Sequence, residues 1–355
     1  MPCSCRRRRV RPRKGSAENS GPVTEPPVIA VVGAGSWGTA LAIQFARAGR
    51  RTILWGRDHG HLAELGRERR NQRYLPEAAF PDSLAIVPHL GTAVGSAGKV
   101  LVAVPSHAFR AVLEQLADVL PAGVPIAWAT KGFELETGKL PHQVAGEVLD
   151  GGRPRAVLSG PTFAREVGAG LPTAMTVASA DESFARALAK GLSNDTFRVY
   201  TSNDIVGVEV GGAVKNVLAI GAGLSDGLGF GANTRVALIT RGLAEMIRLG
   251  LALEARRETF IGLAGMGDLV LTCTDDQSRN RRMGLKLAEG KSVDAAAREI
   301  GQVVEGVPAA KAVWDVARRL GVDMPITEQV HRILYEGAPP AEAVRALMTR
   351  ALKPE

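Results

Sequence analysis

The chain has 355 residues, enough for two domains at about 100–200 residues each. Hydrophobic residues make up 45% and charged residues 23%, which excludes a collagen, a coiled coil and a mainly disordered chain, and no run reaches the roughly 18 uninterrupted apolar residues that mark a membrane-spanning helix. The formal net charge is +8, but residues 1–27 hold seven basic and two acidic side chains, so +5 of it sits in that segment; the basic character belongs to a tail, not to a face of the body.

The tail, rich in Arg, Pro, Ser and Gly, shows no apolar periodicity and is expected to be disordered. No apolar run follows its arginines, as a secretory or twin-arginine signal requires. Three cysteines, Cys3, Cys5 and Cys273, cannot build a disulfide framework, and a reducing cytoplasm fits. Order is predicted to begin at Val28. Val28–Val32 is a continuous β-branched run, as in a buried parallel strand. Gly33-Ala34-Gly35-Ser36-Trp37-Gly38 follows at once, then a helix over 39–47, then a second strand over Thr52–Trp55. Further strands are predicted at 100–104, 125–129, 156–159, 174–178 and 197–200, with helices between them. This alternation implies a Rossmann-type, doubly wound, mostly parallel sheet. From about residue 205 strand-like runs stop. Ala/Leu/Val/Gly-rich segments at 205–225, 233–255, 281–289, 293–300, 306–320 and 326–336 read as helices. The reading is a basic tail over 1–27, a dinucleotide-binding domain over 28–208 and an all-α substrate-binding domain over 209–355.

The glycine-rich turn carries the first chemical signal. A GxGxxG is weak alone, but here it leaves a buried-type strand and opens a helix. Gly33 allows the tight turn, Gly35 lets backbone approach a pyrophosphate, and Gly38 lets helix and strand pack closely. The helix start then offers free N–H groups to phosphate. The second strand ends Trp55-Gly56-Arg57-Asp58. Arg57 could hold a ribose 2′-phosphate with its planar, always-charged fork; Asp58, one step on, could instead take a 2′-hydroxyl. The reading favours NADPH, with NADH also usable.

In residues 205–224 only Glu209 and Lys215 are charged. A helix this apolar should be buried all round. Its lysine must then be paired, exposed in a cleft, or lowered in pKa; pairing with Glu209 is one possibility, and a proton donor poised near neutrality is another. Lys131 closes a strand at the sheet's carboxyl edge, where open α/β folds bind ligands. The Ser159–Ala164 loop follows another strand on that edge. Asp268, flanked by glycine, could orient Lys215 or accept from a substrate hydroxyl, or simply sit in a turn or cap. Ser278, Arg279 and Asn280 open a basic helix and could offer a hydroxyl, a fork and an amide to a phosphate. Glu305 precedes a helix with Pro308 in its first turn. Cys273 lacks a CxxC partner and reads as packing. No histidine has metal-ligand spacing, so no metal site is expected, and no GxSxG elbow is present.

These motifs together resemble a known family. VVGAGSWGTALA (31–42), VPSH (104–107), WATKGFELETG (128–138), LSGPTFAREV (158–167), the segment 211–246, GLAGMGDLVLTCTDDQSRNRR (262–282) and GQVVEG (301–306) are similar to bacterial, biosynthetic NAD(P)-dependent glycerol-3-phosphate dehydrogenase. The resemblance implies that Gly33, Gly35, Ser36, Trp37, Gly38, Arg57, Lys131, Ala164, Arg279, Val303 and Glu305 line the cofactor. It implies that Lys131, Gly160, Thr162, Lys215, Asp268, Ser278, Arg279 and Asn280 meet the substrate, with Lys215 as proton donor. The implied reaction reduces dihydroxyacetone phosphate to sn-glycerol 3-phosphate for phospholipid synthesis. Rival readings are a related two-domain dehydrogenase with another keto or hydroxy substrate, a non-catalytic NADPH-binding regulator, and a nucleic-acid binder acting through residues 6–14. The last lacks interleaved aromatics and a basic body. No nucleic-acid partner and no membrane insertion are expected, and a closed two-fold homodimer would fit.

Overall fold

The computed structural model of the protein describes residues 28–149 and 151–349; the expected disorder of residues 1–27 lies outside them. Ten strands are present: β1 Val28–Val32, β2 Thr52–Trp55, β3 Arg70–Asn71, β4 Leu75–Ala79, β5 Leu84–Ile86, β6 Ala97–Val102, β7 Ile126–Trp128, β8 Arg155–Ser159, β9 Thr173–Ala178 and β10 Phe197–Ser202. Eight form one sheet in the order β10-β9-β8-β7-β6-β1-β2-β5. Every pairing in it is parallel except that of β8 with β9. The run β5-β2-β1-β6-β7-β8 is the dinucleotide-fold order, and its switch point lies between β1 and β6. The chain leaves β1 toward β2 and returns to β6 on the other side, so a crevice opens at the carboxyl ends of those two strands. The glycine-rich turn follows β1 directly and therefore sits in that crevice.

The sequence anticipates seven of the eight sheet strands; β5 and the two-stranded hairpin of β3 and β4 were not foreseen. The one inverted pairing, β8 with β9, leaves the sheet mostly parallel, as expected. Beyond Ser202 the described residues contain helices only. The helix Ile205–Gly227 begins at an Asp204 cap, whose carboxylate accepts from the Gly207 N–H at 2.8 Å. Every side chain from Gly207 to Ser225 is buried, as its all-round apolarity demands. It is the one helix among the described residues long and apolar enough to cross a membrane, and 89% of that window is buried within the protein. Two hydrophobic cores meet along it. Val208 packs with the sheet core around Val31, Leu101 and Trp128; Val210 and Val214 onward pack with Phe133, Met246, Phe260 and Val313.

The helix Arg279–Ala288 lies almost backbone to backbone on the long helix. A Cβ at Gly223 would come within 2.0 Å of the Arg281 carbonyl oxygen, and one at Gly284 within 2.1 Å of the Ile220 carbonyl oxygen. Both positions must be glycine for this crossing. The contact carries the Ser278–Asn280 helix start to the middle of the long helix, close to Lys215.

Candidate active site

The centre of the site is Asp268, 1% exposed. It opens the short helix Asp268–Thr274, just after a π-turn over Leu263–Gly267. Lys215 Nζ donates to Asp268 Oδ1 at 2.6 Å, and Lys131 Nζ donates to Asp268 Oδ2 at 2.7 Å. One carboxylate thus holds two ammoniums, one per oxygen. Lys131 comes from the loop after β7 and Lys215 from the long helix. They can meet because Gly212 has no side chain: a Cβ there would press on the Lys131 stem at 3.3 Å. The stem lies across the helix one turn before Lys215. The partner of Glu209, by contrast, is not Lys215. Glu209 accepts from Trp128 Nε1 at 2.8 Å and from the His142 N–H at 3.0 Å, and its other oxygen lies 2.6 Å from His142 Nδ1. Burial pushes its carboxyl above the usual range.

Lys215 is 8% exposed. Burial, with a smaller push from Lys131, outweighs Asp268 and Glu305 and brings its pKa down to about 8. For Asp268 the balance runs the other way: burial raises the carboxyl, but the two ammoniums together hold it below its ordinary value. Lys215 also donates to Thr272 Oγ1 at 3.0 Å, while that hydroxyl donates to the Asp268 carbonyl at 2.6 Å. Two of the three ammonium N–H bonds are therefore aimed at protein oxygens. The third has no acceptor among the described residues, and it is available to a ligand.

Around this group the other expected residues fall into three sets. Gly160 and Thr162 form the loop after β8, with Thr162 Oγ1 donating to the Gly160 carbonyl at 3.2 Å. The loop packs on the Asp268 turn, since a Cβ at Gly267 would lie 3.6 Å from Pro161 Cγ. Ser278 caps the helix Arg279–Ala288, accepting from the Arg281 N–H at 3.2 Å. The Asn280 side chain is partly committed within the protein. Its Nδ2 donates to Asn216 Oδ1 at 2.9 Å, and its Oδ1 accepts from the Gly306 N–H at 2.8 Å. Each keeps one donor, the Ser278 hydroxyl proton and the second Asn280 amide N–H. Arg279 is half-buried and joins no ion pair among the described residues. Val303 is 52% exposed, and Glu305 lies at the start of the helix Gly306–Arg319.

The third set surrounds the glycine-rich turn. The helix Ser36–Arg47 has Gly35 at its cap position, no capping side chain and no acidic residue in its first turn, so its N-terminal N–H groups face an anion without competition. A Cβ at Gly35 would meet nothing within 4 Å, so the space before it is shaped for an incoming group that approaches the backbone. These features fit a dinucleotide pyrophosphate. Trp37 and Ala164 are half-buried near the same crevice. Arg57 is exposed on the loop after β2 and makes no bond to the lysine–aspartate group. Asp58 is engaged as the cap of the helix His59–Glu68, accepting from the His61 N–H at 3.0 Å. Cys273 is buried in the helical core, and burial pushes its thiol up to about 12, in line with packing.

Three residues here escaped the sequence reading. Thr272 stands one helical turn after Asp268. Asn216 is a polar residue in the apolar helix, adjacent to Lys215. Asn71 donates from Nδ2 to the Ala34 carbonyl at 3.1 Å and to Thr39 Oγ1 at 2.8 Å, bracing the glycine-rich turn. A dinucleotide crevice at the switch point of a parallel sheet, faced by a helical half that brings in a buried lysine, defines a class: the two-part nicotinamide-dependent oxidoreductases.

Within that class the chain belongs to the NAD-dependent glycerol-3-phosphate dehydrogenase family. The family's N-terminal model matches residues 28–185 and its C-terminal model residues 204–345. A glycerol-3-phosphate dehydrogenase [NAD(P)+] of Nitrosococcus oceani is 58% identical over 92% of this chain and 94% of its own length. One of Vibrio cholerae is 54% identical over 95% of this chain and 98% of its own. A crystal structure of glycerol-3-phosphate dehydrogenase from Coxiella burnetii is 46% identical, with a TM-score of 0.89 over 92% of this chain and 100% of that one.

Proposed function

We propose that the protein reduces dihydroxyacetone phosphate to sn-glycerol 3-phosphate with NADPH or NADH, NADPH being preferred. The observation that carries this reading is the clamp of Lys131 and Lys215 on one buried Asp268 carboxylate, beside a helix start that can receive a small phosphate. Gly33, Gly35, Ser36 and Gly38 hold the cofactor's pyrophosphate, and Arg57 marks the ribose corner. Bound there, the reduced nicotinamide supplies a hydride. Lys131, the Gly160–Thr162 loop and the Ser278–Asn280 start bind the substrate and fix its phosphate. As charge develops on the C2 oxygen, Lys215 stabilises it and delivers the N–H proton that no oxygen of the described residues holds. Asp268 and Thr272 keep the other two N–H bonds occupied, so the amine presents that one. Once Lys215 is neutral, Lys131 still balances the Asp268 charge. The two halves of the chain, divided near residue 208, orient donor and acceptor across the crevice.

The product would supply glycerophospholipid synthesis in the cytoplasm, by a two-fold homodimer that needs neither nucleic acid nor membrane insertion. The deciding experiment titrates the purified chain with dihydroxyacetone phosphate under NADPH and, separately, NADH, following nicotinamide absorbance. Turnover with the phosphorylated ketone and none with dihydroxyacetone supports the reading. Equal turnover of an unphosphorylated keto acid would replace it with a related dehydrogenase.

A further inference from the structure

The hairpin of β3 and β4 lies outside the strand–turn–helix unit that carries the glycine-rich turn, yet it is bonded into that unit. Asn71 is fully buried. Besides bracing the Ala34 carbonyl and Thr39, its Oδ1 accepts from the Tyr74 N–H at 3.2 Å. The same side chain that fixes the turn therefore fixes the bend between the two hairpin strands. On that bend Arg73 lays its guanidinium over the Tyr74 ring, 5.1 Å from the centroid. The ring also meets His61 edge-on at 5.5 Å. His61 is the residue whose N–H is capped by Asp58, in the loop after β2. This chain of contacts carries Arg73 to the first turn of the helix after β2, close to Asp58, the residue that follows Arg57 in the chain.

The local charge matters. Arg57 and Arg73 are exposed, and neither has a carboxylate within ion-pair range among the described residues. Asp58, next to Arg57 in the chain, is the acidic group of this corner. Its carboxyl is held below the ordinary range, first by the His61 N–H, with Arg73 among the cations that contribute. A ribose 2′-phosphate brings close to two negative charges to this corner. One guanidinium beside an ionised aspartate leaves no net positive charge to meet it, whereas two leave one. A 2′-hydroxyl asks for neither.

We propose that Arg73 is a second coenzyme-specificity residue, closing with Arg57 on the ribose 2′-phosphate and held in place by the Tyr74 ring. The inference rests on the reading of Arg57 as the mark of the ribose corner. Tyr74 acts as a positioning residue, through its stack with the guanidinium.

The test measures binding of NADPH and of NADH to the full-length protein by nicotinamide fluorescence, at low and high salt. Arg73→Gln should weaken NADPH roughly three- to tenfold, the net scale of one hydrogen-bonded contact at an exposed site, and leave NADH within about twofold. The loss should shrink at high salt, because the contact is exposed. Tyr74→Leu should reproduce part of it for NADPH alone, and Tyr74→Phe, which keeps the ring, should restore it. Arg57→Gln is run beside them. If Arg57→Gln discriminates between the coenzymes and Arg73→Gln does not, the inference fails and the Arg57 reading stands. If only Arg73→Gln discriminates, the Arg57 reading fails. Equal weakening of both coenzymes by Arg73→Gln overturns the proposal in favour of a general structural effect.

Discussion

Lys215 differs from an ordinary helix lysine in what surrounds it. An unpaired ammonium in a core would surrender its proton, and a fully solvated one would keep it far above neutrality. Here burial lowers the pKa and Asp268 limits the fall, leaving a donor that titrates at about 8. It is charged at neutral pH and still gives up a proton readily. Lys215→Ala should therefore lower kcat for reduction by roughly 100-fold or more, the usual scale for a positioned acid, while nicotinamide fluorescence shows coenzyme binding preserved. An unchanged kcat would remove this amine from the chemistry. The sign of the pH dependence follows from the same group. Reduction requires the protonated form, so kcat/KM should be flat below about 8 and then fall about tenfold per pH unit. The oxidation direction, which needs the neutral amine, should rise through the same region. Profiles recorded in both directions check the assignment, and a limb that moves the same way in both would refute it.

At the scale of elements, the long helix is a template on which other parts are laid, and glycine sets the distances. Gly212 makes room for the Lys131 stem, and the facing Gly223 and Gly284 bring the Ser278–Asn280 helix start, proposed to take the phosphate, alongside. Gly284→Val would force the two backbones apart; overpacking of this kind costs about 1–3 kcal/mol. Because the displaced element carries Ser278–Asn280, KM for the ketone should rise more than KM for NADPH. Steady-state kinetics and a melting curve together would show this, and a lower melting point with both KM values unchanged would contradict it. Much of this layer is legible in the sequence, because buried strands and an all-apolar helix leave continuous patterns. The rest is not, for physical reasons. β3 spans two residues and β4 contains Pro76, so neither leaves a period to read. The reversal of β9 leaves no mark in composition, since the same strand residues can pair in either direction. Asp268 offers a turn or a cap on sequence grounds. Its helical setting depends on a π-turn whose hydrogen bonds, such as the Gly267 N–H to the Gly262 carbonyl at 3.1 Å, show only in three dimensions.

Across the whole molecule, the Lys131–Asp268 contact joins the sheet half to the helical half at the place where chemistry would occur. The sequence supplies all three charged residues. It does not say that one carboxylate serves both lysines, because that depends on the crossing at Gly212. Asp268→Asn separates the structural and chemical roles of the carboxylate. Removing the charge leaves two ammoniums facing each other at a buried site, and loss of one partner from a buried pair costs about 3–5 kcal/mol; the partial exposure of Lys131 places the expected loss at the lower end. A lower melting temperature would follow from any core defect. The chemical role predicts something more specific. Asp268 is the largest influence holding the Lys215 proton, so without it the Lys215 pKa should fall below about 8. The decline in reduction with rising pH should then begin at a lower pH than in the parent protein. A melting temperature that drops while the pH limb stays at its parent position would mean that Asp268 braces the two halves without tuning the acid between them.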